Sequence, residues 1–152
     1  MVTVNDLLSS KGRDIWSVSP DETVFDALKL MAEKNIGAVL VMNGDALVGI
    51  LSERDYARKV ILLGKSSKDT LVSEIMTARV LCVRADLSVD ECMVLMTSKG
   101  IRHLPVLGDQ DRVVGVVTIG DVGKAIIARE QFTISQLEHY ITGTDATTYR
   151  AS

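Results

Sequence analysis

Apolar residues recur along the chain in two spacings, and each spacing predicts a kind of element. Short apolar runs at 15–18 and 80–83 read as strands. Val24, Ala27, Leu28 and Met31 then recur at helical spacing, as do Val89, Cys92, Met93 and Met96. Asp21 and Asp86 stand just upstream, where N-caps belong. Further runs at 38–42 and 104–107 lead through hairpin-like loops, 43–45 and 108–111, into 47–51 and 113–117. Continuous β-branched runs of this kind predict strands covered on both faces. A helix follows each, from Asp55 and from Asp121. The predicted class is α/β, with the order β-α-β-β-α occurring twice.

The two halves are copies. Val18-Ser19-Pro20-Asp21-Glu22-Thr23-Val24 lies on Val83-Arg84-Ala85-Asp86-Leu87-Ser88-Val89, an offset of 65 residues (18 to 83). After one extra residue in the loop at 108–112 the offset is 66 (49 to 115). A unit of about 60 residues is marginal alone, so two copies are expected to pack together. The expected domains are 11–71 and 76–133. A polar linker occupies 64–73, and short helices are expected at 4–10, entering copy one, and at 72–76, entering copy two. Phe132, Ile134, Leu137 and Ile141 predict a docking helix over 130–141, with a frayed polar end at 142–152. The Met-containing stripes read as core or dimer interface.

Composition narrows the function. The net charge is −3, which argues against nucleic acid as the primary target but leaves room for a small phosphorylated ligand. With one Trp and 4% aromatic residues, no stacking platform for bases is expected. Cys82 and Cys92 read as buried thiols in a reducing compartment, and His139 as surface. No run of 18 apolar residues predicts a membrane span, and the N-terminus has no basic region before an apolar one, so the expectation is a cytoplasmic protein without membrane attachment. Nothing resembles a nucleophilic triad, a metal cluster, a P-loop lysine or a GxGxxG turn, so no enzyme is expected.

The strongest chemical signal is a strand, then Ser/Thr-x-x-Asp, then a helix, found twice: Ser52 to Asp55 and Thr118 to Asp121. A hydroxyl at that point can donate to a phosphate, beside N–H groups that favour anions. A carboxylate three residues on can accept from both hydroxyls of a ribose. The same residues also suit a plain N-cap and first helical turn. Copy two adds Arg102 and His103 before a strand, where copy one has Gly37 and Ala38. Arg54 faces Gly120 in the same comparison.

The span from about residue 11 to 132 resembles a tandem pair of CBS domains, the Bateman module. The residues that carry the resemblance are Gly49-Ile50-Leu51-Ser52-Glu53-Arg54-Asp55, Gly100-Ile101-Arg102-His103-Leu104-Pro105-Val106 and Gly115-Val116-Val117-Thr118-Ile119-Gly120-Asp121, with the lead-in Ile75-Met76-Thr77. The resemblance implies two sheets facing each other about a pseudo-twofold axis and two clefts for adenine nucleotides: AMP, and NAD(H) or ATP. It also implies an energy- or redox-sensing role, as in the gamma subunit of AMP-activated kinase, with a homodimer and an unknown regulated protein as partners. One site would set ribose on Asp121, phosphate on Thr118, Arg102 and His103, and adenine against Gly12, Ile15, Ile36 and Gly37. The other would set ribose on Asp55, phosphate on Ser52 and Arg54, and adenine near Thr77, Val80 and Ile101. The competing expectation is a dimeric interaction scaffold that needs no ligand.

Overall fold

The computed structural model describes residues 1–130, 137, 139 and 148–151. The helix expected over 130–141 and the frayed end at 142–152 lie almost wholly outside the described residues.

Each copy forms a three-stranded sheet. In the first, β1 (Ser17–Val18) runs parallel to β2 (Ala38–Asn43), which is antiparallel to β3 (Ala46–Ser52). In the second, β4 (Val83–Arg84), β5 (His103–Leu107) and β6 (Val113–Thr118) repeat that order. The copies share even an irregularity, a shift of register at Val41/Met42 and at Val106/Leu107. Helices α2 (Val24–Lys34) and α5 (Val89–Lys99) cross between the parallel strands.

Both crossing helices start later than expected. Their N-caps are Thr23 and Ser88, whose hydroxyls accept the N–H of Asp26 and Glu91. A hydroxyl in extended backbone does the capping, and Asp21 stays in the preceding turn. The first strand of each copy is also shorter than the apolar run predicts. In copy one Leu40 still donates its N–H to the Trp16 carbonyl at 3.1 Å. The equivalent residue in copy two is Pro105, which has no N–H to give. β4 therefore starts one position later in the repeat than β1, at Val83, the equivalent of Val18.

The two short lead-in helices exchange places. Helix α1 (Val4–Lys11) precedes copy one, yet Val4, Leu7 and Leu8 are buried in the core of copy two with Val89, Cys92, Met96, Leu104 and Val117. Helix α4 (Val72–Ile75) precedes copy two, yet Val72 and Ile75 are buried with Val24, Met31, Val41 and Leu51 of copy one. Backbone bonds fix the exchange: Val4 N–H to Leu87 O and Asn5 N–H to Ala85 O, both 2.8 Å, and Val72 N–H to Glu22 O, also 2.8 Å. Neither copy has a complete core without the segment that precedes the other.

The closing helices differ. Helix α6 (Ile119–Arg129) is regular, and Arg129 reaches Asp90 of α5 through two hydrogen bonds of 2.6 and 2.9 Å. Helix α3 (Glu53–Tyr56) continues instead through a π-helical turn, Ala57–Ile61, where Leu62 donates to Ala57 O at 3.1 Å. No helix among the described residues is long and apolar enough to cross a membrane.

Candidate functional site

Strands β3 and β6 end in the hydroxyl residues picked out by the pattern, and both become N-caps. Ser52 Oγ accepts the Asp55 N–H at 3.2 Å, and Asp55 Oδ2 accepts the Ser52 N–H at 2.9 Å. Thr118 and Asp121 make the same box at 3.1 and 2.9 Å. The box uses one oxygen of each carboxylate, Oδ2, and among the described residues the second oxygen is engaged at Asp55 but not at Asp121. Asp55 Oδ1 pairs with Lys59 at 3.1 Å. Asp121 Oδ2 takes Lys11 Nζ at 2.6 Å, and the same ammonium donates to Val116 O at 2.9 Å. Burial raises the Asp121 carboxyl, but Lys11 and the Thr118 N–H outweigh it and hold the group below its ordinary value.

Two clefts open between the copies. The first, about 350 Å³, runs past Lys11, Gly12, Asp14, Trp16, Ile36, Gly37, Ala38, His103 and Thr118. The second, about 460 Å³, runs past Gly37, Ala38, Ser52, Glu53, Arg54, Asp55, Thr77, Arg79, Val80, Leu81, Ile101, Arg102 and His103. Each joins a Ser/Thr-x-x-Asp turn from one copy to apolar wall from the other.

The grouping differs from expectation in particular residues. Arg102 lines the second cleft, whereas the sequence paired it with Asp121. Arg102 stands at a bend just before β5 and lines only the second cleft, while His103, the first residue of β5, lines both. Ile15 is half-buried and lies outside both linings; its neighbours Asp14 and Trp16 face the first cleft instead. Pro105 is buried in β5 and faces neither cleft. Asp121 sits beside the first cleft, tied to its wall by Lys11.

Among the lining residues that sequence did not single out are Lys11, Trp16, Arg79 and Leu81. Lys11 comes from a helix 110 positions away from Asp121. Trp16, the single tryptophan, offers a ring to the first cleft and carries Lys34 Nζ 4.2 Å from its centroid. The low aromatic content argued against stacking, but one ring at the cleft is enough to stack one base. Arg79 and Leu81 enter the second cleft from the segment before β4, as their equivalents Asp14 and Trp16 enter the first.

His103 is half-buried, and its imidazole is held below its ordinary value, first by burial and then by Arg102 and Lys11, against the opposing pull of Asp121 and Glu53. A base with a depressed folded value favours the neutral form on folding. Its contribution is present in full above the unfolded value, near 6.5, and is lost as pH falls from there through the lower folded value. Urea unfolding of the ligand-free protein should show stability declining on acidification through that window, and His103→Gln should flatten the decline. An unchanged slope in the variant would refute the assignment.

Burial raises both thiols, Cys82 and Cys92, so neither is poised as a thiolate nucleophile. Among the described residues no group of three or more His, Cys, Asp or Glu is placed to hold a metal ion.

The CBS domain family model matches residues 4–61 and again residues 72–128. The chain belongs to the CBS-domain family. Its two copies form a tandem CBS pair, the Bateman module. A CBS-domain protein of solved structure from Burkholderia ambifaria MC40-6 is 54% identical, with a TM-score of 0.82 over 88% of this chain and 99% of that one. The mitochondrial CBS domain-containing protein CBSX3 of Arabidopsis thaliana is 40% identical over 93% of this chain and 72% of its own length. The CBS pair of protein MJ0100, solved with 5′-methylthioadenosine and S-adenosyl-L-methionine, is 27% identical with a TM-score of 0.75 over 85% of this chain and 98% of that one. An inosine-5′-monophosphate dehydrogenase from Methanocaldococcus jannaschii is 35% identical, but only 22% of its length is matched.

Proposed function

We propose that this chain is a regulatory module that binds adenine nucleotides in its two clefts, senses energy or redox state in the cytoplasm, and passes that state to another protein. One observation carries the reading. Each cleft brings a Ser/Thr-x-x-Asp turn, whose capping box takes one carboxylate oxygen, against an apolar wall from the opposite copy. The adenosine compounds bound by the CBS pair of MJ0100 support that ligand class. The chain matches only a small part of the dehydrogenase, which fits a module without turnover of its own.

The clefts suit different members of the class. The first has Trp16 for a base, Lys11 and His103 for charge, and the smaller volume. It takes an AMP-like monophosphate. The second carries three arginines, Arg54, Arg79 and Arg102, and is the larger. Arg is suited to planar, bidentate recognition of phosphates, so this cleft takes a diphosphate-bearing ligand such as ATP or NAD(H).

A thermal-shift and calorimetric screen with AMP, ADP, ATP, NAD(H) and S-adenosylmethionine tests this. A ligand at 100 times its Kd stabilises by about 2.7 kcal/mol, a shift easily read. Neither heat nor shift with any of them would replace the reading by a ligand-independent dimeric scaffold.

The scaffold reading has its own support in exposed apolar residues on the crossing helices, Phe25 at 40% and Val94 at 67%. The same residues support a homodimer through the faces of 24–34 and 89–98, whichever reading holds. Light scattering at micromolar concentration should give twice the chain mass of 16.5 kDa, and a monomeric mass would reject the dimer.

A further inference from the structure

One titratable side chain belongs to both clefts. Gly37, Ala38, Ile50 and His103 line the first and the second alike, and of these only His103 can change charge near neutral pH. Its ring reaches across to copy one, where a Cβ on Gly37 would stand 3.6 Å from Cε1 and 3.7 Å from Nε2. The imidazole tip thus lies within ordinary van der Waals reach of copy one at this point. The charges facing the ring come from both sides. Lys11 of α1 and Asp121 of α6 belong to the first cleft, and Glu53 of α3 and the adjacent Arg102 to the second. Among the described residues, no hydrogen bond engages either ring nitrogen.

We propose that His103 couples the two clefts through one shared proton: an anionic ligand in either cleft draws the proton onto the imidazole, and the ligand that follows into the other cleft meets an imidazolium already formed. The inference rests on the reading that phosphorylated nucleotides fill both clefts. A neutral imidazole has one donor nitrogen, and an imidazolium has two. With two donors, one ring can face an anion on each side. Above the imidazole's own value the first ligand must work against the cost of protonation, and the second does not repeat that cost. Coupling is therefore positive there, and linkage makes it the same whichever ligand binds first. Below that value the ring is already charged before any ligand arrives, so the gain disappears. Mutual repulsion between the two anions then sets the sign.

The test is calorimetry on the full chain with AMP and ATP, each alone and each in the presence of saturating amounts of the other. Titrations in two buffers of different ionisation enthalpy, at about pH 7.5 and about pH 5, stand above the ordinary histidine value and well below it. At the higher pH the first nucleotide should take up protons, and the second should take up fewer and bind roughly five-fold tighter than it does alone, within the usual range of allosteric coupling. At the lower pH the gain should vanish or reverse. His103→Gln keeps a donor of similar reach but cannot titrate; it should bind both nucleotides with no gain at either pH. Nucleotide phosphates titrate near pH 6 themselves, so the reading is the difference in proton uptake between the wild type and this variant. His103→Asn provides the same comparison if the first variant melts early.

Equal uptake in wild type and variant, or a second affinity unchanged by the first ligand at both pH values, would overturn the coupling while leaving nucleotide binding intact. AMP and ATP displacing each other from a single site would overturn it too. No heat from either nucleotide would overturn both this inference and the function on which it rests.

Discussion

Leu8→Ala should destabilise the protein by about 2–5 kcal/mol, the range for truncating a fully buried leucine. Leu8 is 0% exposed, although it lies near the start of the chain and in a helix of only 8 residues. Beyond Val2, Val4 and Leu7, the core it joins is that of copy two, and its methyl groups lie over Gly115, where a Cβ would meet Cδ2 at 2.7 Å and Cδ1 at 2.9 Å. The loss is a large part of the total for a domain of this size, since folding stability is only about 5–15 kcal/mol. Gly115→Ala should cost about 1–3 kcal/mol by overpacking against the same methyls. In the double variant the added Cβ enters the space that Leu8 vacates, so the second change should cost less than it does alone. Urea unfolding of the four proteins measures that interaction. Strict additivity would mean that α1 does not pack on β6. Met76 over Gly49 is the counterpart in copy one, with Sδ 2.6 Å from the Cβ position.

The exchange of α1 and α4 shows where pattern reading stops. Apolar spacing announces that residues 4–10 and 72–76 form helices with one buried face. It does not say which of two similar cores receives that face, because both offer a glycine-floored groove. Chain order suggested the nearer copy, and backbone bonds from Val4 and Val72 place each helix on the farther one. The repeat itself, the sheet order and the two capping boxes were readable from residue types, since caps and strands are local. The clefts were readable only in part. Arg102 falls to the second cleft from a bend before β5, a local turn that residue types do not announce, and Lys11 was invisible because its partner is 110 residues away. The strand end at Val83 turned on one proline whose missing N–H acts on a different strand.

Asp121→Asn should weaken binding of an AMP-like ligand by roughly 10- to 100-fold and leave the longer ligand nearly unaffected; Asp55→Asn should do the reverse. Charged hydrogen bonds contribute about 1.5–3 kcal/mol, and each 1.4 kcal/mol is a factor of ten. Asparagine is the informative replacement. The amide oxygen can still accept the N–H of Thr118 or Ser52, so the helix start is preserved, whereas alanine also removes the box and adds a stability loss of about 0.5–2 kcal/mol. The amide has one acceptor atom where the carboxylate has two, so a ribose that needs both hydroxyls accepted keeps only one bond. At position 121 the change also releases Lys11 from its 2.6 Å pair, leaving an ammonium free to turn toward the ligand's phosphate. In both Asp121→Asn and Asp121→Ala the loss should therefore be partly offset, whereas the Asp55 variants release only Lys59, four residues along the same helical segment and outside the lining of the second cleft. Calorimetric titration of AMP and ATP into the four variants separates these effects. Equal losses for both ligands in both positions would mean that the clefts do not discriminate, and that the three arginines of the second cleft serve the surface rather than a longer phosphate chain.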